Sequence, residues 1–172
     1  MMQGARHDTY SRRAAALVLS FALAWLAPLG AQGEGSSGEG DVAVVVHPDV
    51  PIDNLTLGEL RRIVLGDRTF WPGGVRVTLL IRAPVAHERD VILKTVYKMT
   101  EPQLRHHWIA KANRADSAAV APKLVYSAQS AADLTAQTPG AITFIDASQV
   151  GRNLKVLKID GRLPGEPGYV LR

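Results

Sequence analysis

The sequence predicts an α/β fold in which a mixed, mostly parallel sheet is flanked by helices. Three apolar runs have the length and composition of buried strands: VAVVV at 42–46, VRVTLLI at 75–81 and AITFI at 141–145. Segments with helical apolar spacing lie between them. Strands that alternate with helices are typical of a sheet that is at least partly parallel.

The first 31 residues have the pattern of a secretory signal peptide. Three arginines form a positive N-terminal region, and the stretch 14–30 that follows is uncharged and rich in Ala and Leu. Small residues at Ala31 and Gly33 suit cleavage. An uncleaved membrane anchor is the alternative, although the apolar run is short for a span. Residues 32–41, rich in Gly, Ser and Glu, predict a flexible linker.

The remaining residues, 42–172, are enough for one domain with its own core. The whole chain has a net charge of +4, and removal of the signal peptide takes away a net +2, which leaves +2. Because the remaining Lys and Arg are scattered, we do not expect nucleic-acid binding. The chain has no cysteine, so an exported protein of this kind relies on its core rather than on disulfides. The combination predicts a bacterial periplasmic protein.

Several helices carry start signals in the sequence. In a capping box, a Ser or Thr bonds the backbone N–H three residues on, where a Glu or Gln bonds back. Such starts occur at Thr56 with Glu59 and at Thr100 with Gln103, and either Ser127 or Ser130 is placed to cap a short helix. Gly66 is placed to end the first helix. The run LKVLKI at 154–159 predicts a fourth strand, followed by an extended tail.

The end of the second strand is the candidate site. Arg82 follows the apolar run, and Pro84 suits the first position of a new helix. Ligands of open α/β sheets bind at the carboxyl ends of strands, and a helix start offers free N–H groups to an anion. The candidate anion-binding residues are Arg82, Val85, Ala86, His87 and Arg89. In the alternative interpretation, Arg82 is a solvated strand-end residue paired with Glu88.

Other clusters predict no catalysis. The segment HERD, 87–90, is interpreted as an exposed helix face with local ion pairs. His106 and His107 are adjacent, so on a helix they point about 100° apart and do not chelate a metal. The sequence has no G-x-S-x-G elbow. We therefore expect no enzyme, no metal and no cofactor. Trp71 is expected to anchor a loop on the core.

Four segments, in this order, resemble the phosphate-binding protein family of ABC transporters, which has the type II periplasmic-binding-protein fold. They are LTLGELRRIVLGDRTFWPGG, VTLLIR, TPGAITFI and GYVLR. The resemblance covers roughly 42–171 and implies that Arg82 corresponds to the family's ligand arginine. The family continues with Ser-Asp-Gly-Ser-Gly-Thr, whereas residues 83–87 here are Ala-Pro-Val-Ala-His. Most of the phosphate cradle is therefore replaced.

The resemblance implies a single lobe of a protein that normally has two. The expected function is a periplasmic solute-binding-like protein with weak binding of phosphate or another oxyanion, working with a membrane permease. The alternative is an interaction or signalling module that has kept the lobe, lost the ligand and binds a protein partner such as a membrane sensor. A homodimer would rebuild a cleft from two lobes.

Overall fold

The computed structural model of the chain describes residues 40–114 and 120–172. The predicted signal peptide and most of the predicted linker lie outside these residues. The strands are β1 (Val42–Val46), β2 (Asn54–Leu55), β3 (Thr78–Arg82), β4 (Lys123–Val125), β5 (Ala141–Asp146) and β6 (Lys155–Ile159). The α-helices are α1 (Leu57–Val64), α2 (His87–Ile92), α3 (Glu101–Ala112) and α4 (Ala128–Gln137). A π-helical turn, Leu93–Tyr97, continues α2, and a 3₁₀ turn, Ala147–Gln149, follows β5.

The strands form one sheet in the order β2-β6-β1-β5-β3-β4. Strand β3 runs parallel to both of its neighbours, β4 and β5, and β2 runs parallel to β6. Strand β1 is antiparallel to β5 and to β6. Three of the five pairings are therefore parallel, which confirms the predicted mixed, mostly parallel sheet. The carboxyl ends of β3, β4 and β5 lie along one edge of it.

Apolar clusters cover both faces of the sheet. Val42, Val44 and Val46 of β1 belong to a large cluster that also contains residues of α1 and α2, whereas Ala43 and Val45 belong to a smaller one that contains residues of α4. All five residues of β1 are consequently buried. A strand covered on both faces needs an uninterrupted apolar run, and this is why VAVVV was recognisable in the sequence.

The predicted caps and the loop anchor are confirmed. Capping boxes open α1 and α3, and the Ser127 side chain caps α4. Trp71 is buried, and its indole N–H donates to the Gly140 carbonyl at 2.9 Å. That bond ties the loop before β3 to the turn before β5. It fixes the relative positions of the two strands that lead to the candidate site.

The prediction that Pro84 opens a helix is wrong. Helix α2 begins at His87, and residues 83–86 form a turn in which the Ala86 N–H donates to the Ala83 carbonyl at 3.3 Å. Pro84 and Val85 are the central residues of this turn, and Val85 has a φ of 73°. A proline followed by a left-handed residue matches a type II turn, where glycine usually takes Val85's place. The left-handed residue delays the helix by one turn.

Strands β2 and β4 were not predicted, because segments of two and three residues are too short to show a period.

No helix within 40–114 or 120–172 combines the length and the apolar character that a membrane span requires.

Candidate anion site at the end of strand β3

Arg82 ends β3 at the edge of the sheet where β3, β4 and β5 all finish. Its side chain is only 13% exposed, so the guanidinium is largely removed from water. A buried charge is costly unless a counter-charge and hydrogen-bond acceptors surround it. The surroundings of this group therefore decide what the edge can bind.

The counter-charge of Arg82 is Glu88, whose side chain is 8% exposed. Glu88 Oε1 lies 3.6 Å from Arg82 Nε, an ion-pair distance that is too long for a hydrogen bond. In the part of the chain that the structure describes, no acceptor completes a hydrogen bond with Arg82 Nε or Nη1. The charge of Arg82 is therefore compensated by Glu88, whereas two of its nitrogens lack a hydrogen-bond acceptor. The alternative pairing with Glu88 is thus present, although Arg82 is buried rather than solvated.

Arg89, the second candidate cation, is fully engaged. Its Nε and Nη2 donate to the two carboxylate oxygens of Glu101 at 2.5 and 2.8 Å, and its Nη1 donates to the Arg82 carbonyl at 3.3 Å. These bonds hold the start of α3 against the end of β3. The Arg89 guanidinium also holds the pKa of Glu101 below its usual value. Arg89 therefore supports the site rather than offering free donors to it.

The remaining candidate residues lie at the apex of the turn and at the helix start. Val85 is fully exposed. The Ala86 N–H is used within the turn. His87 is the first residue of α2, and its Nε2 lies 3.3 Å from the Gly40 carbonyl oxygen. Of the three expected backbone donors, Ala86 already has a partner inside the chain.

The segment HERD differs from the predicted exposed face. Glu88 and Arg89, at its centre, are 6% and 9% exposed. The sequence predicted ion partners on the same helix. The actual partners of Glu88 and Arg89 belong to β3 and to α3. The pairing of Arg82 with Glu88 was one of the two interpretations of the sequence. Sequence spacing carries no signal for the other pair, since Arg89 and Glu101 are 12 residues apart and their elements meet only in the folded chain.

The space beside Arg82 is too small for an oxyanion. A cavity of about 10 Å³ is lined by Arg82, Glu88, Arg89 and the apolar groups of Ile81, Ile92, Tyr97 and Phe144. That volume is about the minimum for one water molecule. Burial raises the pKa of the Tyr97 hydroxyl, which therefore stays neutral. The Trp108 indole N–H interacts with this hydroxyl without reaching good hydrogen-bonding geometry. Arg82 Nε and Nη1 are themselves buried, so an anion reaches these donors only when the surrounding side chains move.

The edge around Arg82 is not strongly positive. Strand β5 ends there with Asp146, which accepts from the backbone N–H and the hydroxyl of Ser148 at 2.8 and 2.6 Å. Glu88 at Arg82 and Asp146 at the end of the neighbouring strand thus place two carboxylates at this edge of the sheet. The electrostatic attraction for an anion is therefore modest.

A larger concavity lies elsewhere on the described part of the chain. It is a groove of about 670 Å³, open to solvent, along the start and middle of α3, and it includes Lys98, His106 and His107. It shares no residue with the surroundings of Arg82. His107 Nε2 lies 3.1 Å from the Leu65 carbonyl oxygen, so this histidine helps to pack α3 onto α1. The groove is broad and shallow.

Among residues 40–114 and 120–172, no three His, Asp or Glu side chains come close enough together to hold a metal ion.

No protein-family model matches the sequence, and a search of curated proteins finds no match. Solved structures, in contrast, share its fold. An ABC-type phosphate transport receptor from Vibrio cholerae is 19% identical, with a TM-score of 0.59, over 73% of this chain and 48% of that one. PstS from Borrelia burgdorferi is 16% identical, with a TM-score of 0.59, over 77% and 54%. A Clostridium perfringens protein assigned as a phosphate ABC transporter substrate-binding protein, solved with bound phosphate, is 21% identical, with a TM-score of 0.55, over 71% and 46%.

The chain spans about half the length of these solved structures. This agrees with the single lobe that the sequence predicts. The chain therefore has the α/β fold of phosphate ABC transporter substrate-binding proteins, and its length corresponds to about one half of such a protein.

Proposed function

We propose that this chain is an exported, non-enzymatic solute-binding-type protein that holds phosphate, or a similar oxyanion, weakly at Arg82. The observation that carries the proposal is a largely buried guanidinium at the carboxyl end of a parallel strand, with Nε and Nη1 lacking acceptors among the described residues. Charge-assisted bonds from such donors are what a phosphate oxygen accepts. The fold supports the proposal, since a solved protein that shares it contains bound phosphate.

Weak affinity follows from the number of donors. A hydrogen bond to a charged group contributes about 1.5–3 kcal/mol, and association costs at least about 4 kcal/mol. Two or three bonds at Arg82 and the start of α2 then correspond to a dissociation constant of roughly 1 mM. The absence of a glycine-rich, hydroxyl-bearing cradle at 83–87 agrees with this value.

The test is calorimetric titration of residues 32–172, the product expected from cleavage after Ala31, with inorganic phosphate, for the wild type and for Arg82→Ala. We expect a dissociation constant near 1 mM that Arg82→Ala weakens at least tenfold, because it removes the only candidate arginine whose donors are unfilled among the described residues. Arg152→Ala, at an exposed arginine, is the matched control and should bind like the wild type. Equal binding by Arg82→Ala and the wild type would show that the site is elsewhere.

The proposal includes export through residues 1–31, followed by the linker 32–41 and the domain 42–172. Expression of the full chain in a Gram-negative host, with mass spectrometry of the periplasmic fraction, should give a product cleaved after Ala31 or Gly33. A full-length product that stays with the membrane would support the uncleaved anchor instead.

A second candidate function, a protein-interaction module, is favoured by exposed apolar residues at the same edge. Val85 is fully exposed, and Tyr126, directly after β4, is 79% exposed. Both residues follow strand ends that are register partners, Arg82 of β3 and Val125 of β4. The partner would be a membrane permease, a sensor protein or a second copy of the chain. Sedimentation of the wild type and of a Val85→Ser/Tyr126→Ser variant tests whether the partner is a second copy of the chain. A wild type that stays monomeric at every concentration would exclude it.

A further inference from the structure

We propose that Glu88 is an internal competitor for the oxyanion, and that its carboxylate sets the affinity of the Arg82 site. This inference rests on the proposed function, since it concerns the same arginine. It assigns to Glu88 the role of an affinity-determining residue. The chain thus supplies its own anion to the guanidinium that would otherwise hold phosphate.

The geometry of the pair is that of an occupied anion site. Glu88 Oε1 lies 3.6 Å from Arg82 Nε, and both side chains are nearly withdrawn from water, with exposures of 8% and 13%. A carboxylate in such surroundings remains close to a cation, since separation would leave two uncompensated buried charges. An arriving oxyanion must therefore displace this carboxylate or share the guanidinium with it.

The pair is also imperfect, which leaves the competitor displaceable. At 3.6 Å the ion pair lacks a hydrogen bond, and Arg82 Nε and Nη1 find no acceptor in the described part of the chain. Arg89 shows the contrast, because Glu101 satisfies it through two bonds of 2.5 and 2.8 Å. An oxyanion that makes short bonds to Arg82 offers what Glu88 does not. No equivalent gain exists at Arg89.

The small cavity beside the pair sets how the exchange takes place. It has room for about one water molecule, so phosphate cannot reach the buried Arg82 donors until the Glu88 carboxylate moves away. The two anions therefore alternate at the guanidinium. This accounts for weak binding by a mechanism separate from the replaced cradle at 83–87.

The test uses residues 32–172, the product expected from cleavage after Ala31, with the variant Glu88→Gln, which keeps the shape of the side chain and removes its charge. We expect phosphate affinity to rise roughly tenfold to a hundredfold, the factor that corresponds to one charge-assisted interaction. The matched control is Asp90→Asn, an exposed carboxylate on the same helix. It removes the same charge without touching Arg82 and should change the affinity less than threefold, a rough bound for an exposed, screened charge.

A second measurement on the wild-type chain covers the case in which Glu88→Gln fails to fold. Side-chain NMR of Arg82 Nε–Hε and of the Glu88 carboxyl carbon follows both partners during a phosphate titration. We expect both resonances to move with the same midpoint, because one anion replaces the other. Movement of Arg82 with an unchanged Glu88 overturns the competition.

The outcomes separate this inference from the proposed function. In one outcome the wild type binds phosphate, Arg82→Ala abolishes binding and Glu88→Gln does not raise the affinity. Competition by Glu88 is then wrong, whereas the proposed function stands. If Glu88→Gln binds phosphate but the wild type and the double variant Glu88→Gln/Arg82→Ala do not, the role of Glu88 as competitor is established. The proposed binding of phosphate by the wild type is then wrong. Absence of binding by every folded variant overturns both.

Discussion

At the end of β3, two neighbouring arginines have opposite surroundings. Arg82 has one carboxylate at ion-pair distance and unfilled donors, whereas Arg89 holds Glu101 through two bonds and the Arg82 carbonyl through a third. Because a ligand at Arg82 breaks no hydrogen bond of Nε or Nη1, whereas a ligand at Arg89 would have to replace existing bonds, Arg82 is the arginine better placed to bind a ligand. Arg89 is a structural tie between α2, α3 and β3.

We predict that Glu101→Gln destabilises the protein at neutral pH and makes it less sensitive to acid. Arg89 is 9% exposed, and leaving it without its carboxylate costs about 1–3 kcal/mol. Hydrogen bonds from Arg89 lower the pKa of Glu101 below the ordinary value of 4.5. A depressed pKa stabilises the fold above pH 4.5, and this contribution is lost as the pH falls through the folded value.

Urea unfolding between pH 3 and 7 measures the effect. The free energy of unfolding of the wild type should fall more steeply below about pH 4.5 than that of Glu101→Gln. Asp133→Asn is the control, since the exposed Asp133 carboxylate accepts a hydrogen bond from Gln129 rather than from a cation. Parallel curves for Glu101→Gln and the wild type would contradict the role of this pair.

At the scale of elements, two loops determine where β3 and β5 begin. The Gly140 carbonyl accepts from the Trp71 indole and from the Thr78 N–H at 2.9 and 3.0 Å. Gly140 has a φ of 74°, and a Cβ there would overlap the carbonyl oxygen of Arg76. Only glycine therefore allows the turn before β5 to approach the loop before β3.

We predict that Gly140→Ala destabilises the fold by about 3 kcal/mol or more. Left-handed backbone costs alanine about 1–2 kcal/mol, and the overlap with a backbone atom adds about 1–3 kcal/mol. Gly161→Ala is the matched control, because Gly161 has a φ of 80° with open space around its Cβ position. Chemical denaturation should show a loss of only about 1–2 kcal/mol for the control. Equal losses would mean that the close approach does not matter.

At the scale of the whole molecule, the C-terminal tail closes on the first strand. The Tyr169 hydroxyl donates to the Val42 carbonyl at 2.7 Å, and the Val42 N–H donates to the Leu171 carbonyl at 2.8 Å. Arg172 adds an ion pair with Asp41 at 2.9 Å. Tyr169 and Leu171 are both buried in the large apolar cluster. Residues at the two ends of the domain are thus parts of one core.

We predict that Tyr169→Phe lowers the free energy of unfolding by about 1–2 kcal/mol, because the buried Val42 carbonyl loses this donor. Burial, and secondarily the negative charge of Asp41, raise the pKa of Tyr169 above its ordinary value of 10.0. A raised pKa gives stability that is present below pH 10 and is lost as the pH rises above it. The variant should therefore lose less of its stability above pH 10 than the wild type does.

Thermal unfolding between pH 7 and 11 measures both effects. Tyr126→Phe is the control, since Tyr126 is 79% exposed and should change stability by less than about 0.5 kcal/mol. Tyr97, whose pKa burial also raises, keeps part of the alkaline dependence in every variant. An unchanged alkaline slope in Tyr169→Phe would contradict a contribution of Tyr169 to the alkaline dependence.

The sequence by itself determined the elements whose signals are local. The buried strands β1, β3 and β5 are mostly apolar runs, because a strand covered on both faces favours apolar residues at nearly every position. The caps of α1, α3 and α4 depend on groups three residues apart, so their spacing is visible without the fold. The same locality places Arg82 at the end of a strand.

Only the tertiary structure decided the state of the candidate site. The burial of Glu88 and Arg89 depends on β3 and α3, which no helical period identifies as neighbours. The delayed start of α2 depends on a left-handed Val85, which is rare for a β-branched residue and therefore not expected from sequence. Charge pairing and burial are set by which elements meet, and that is a property of the folded chain rather than of local spacing.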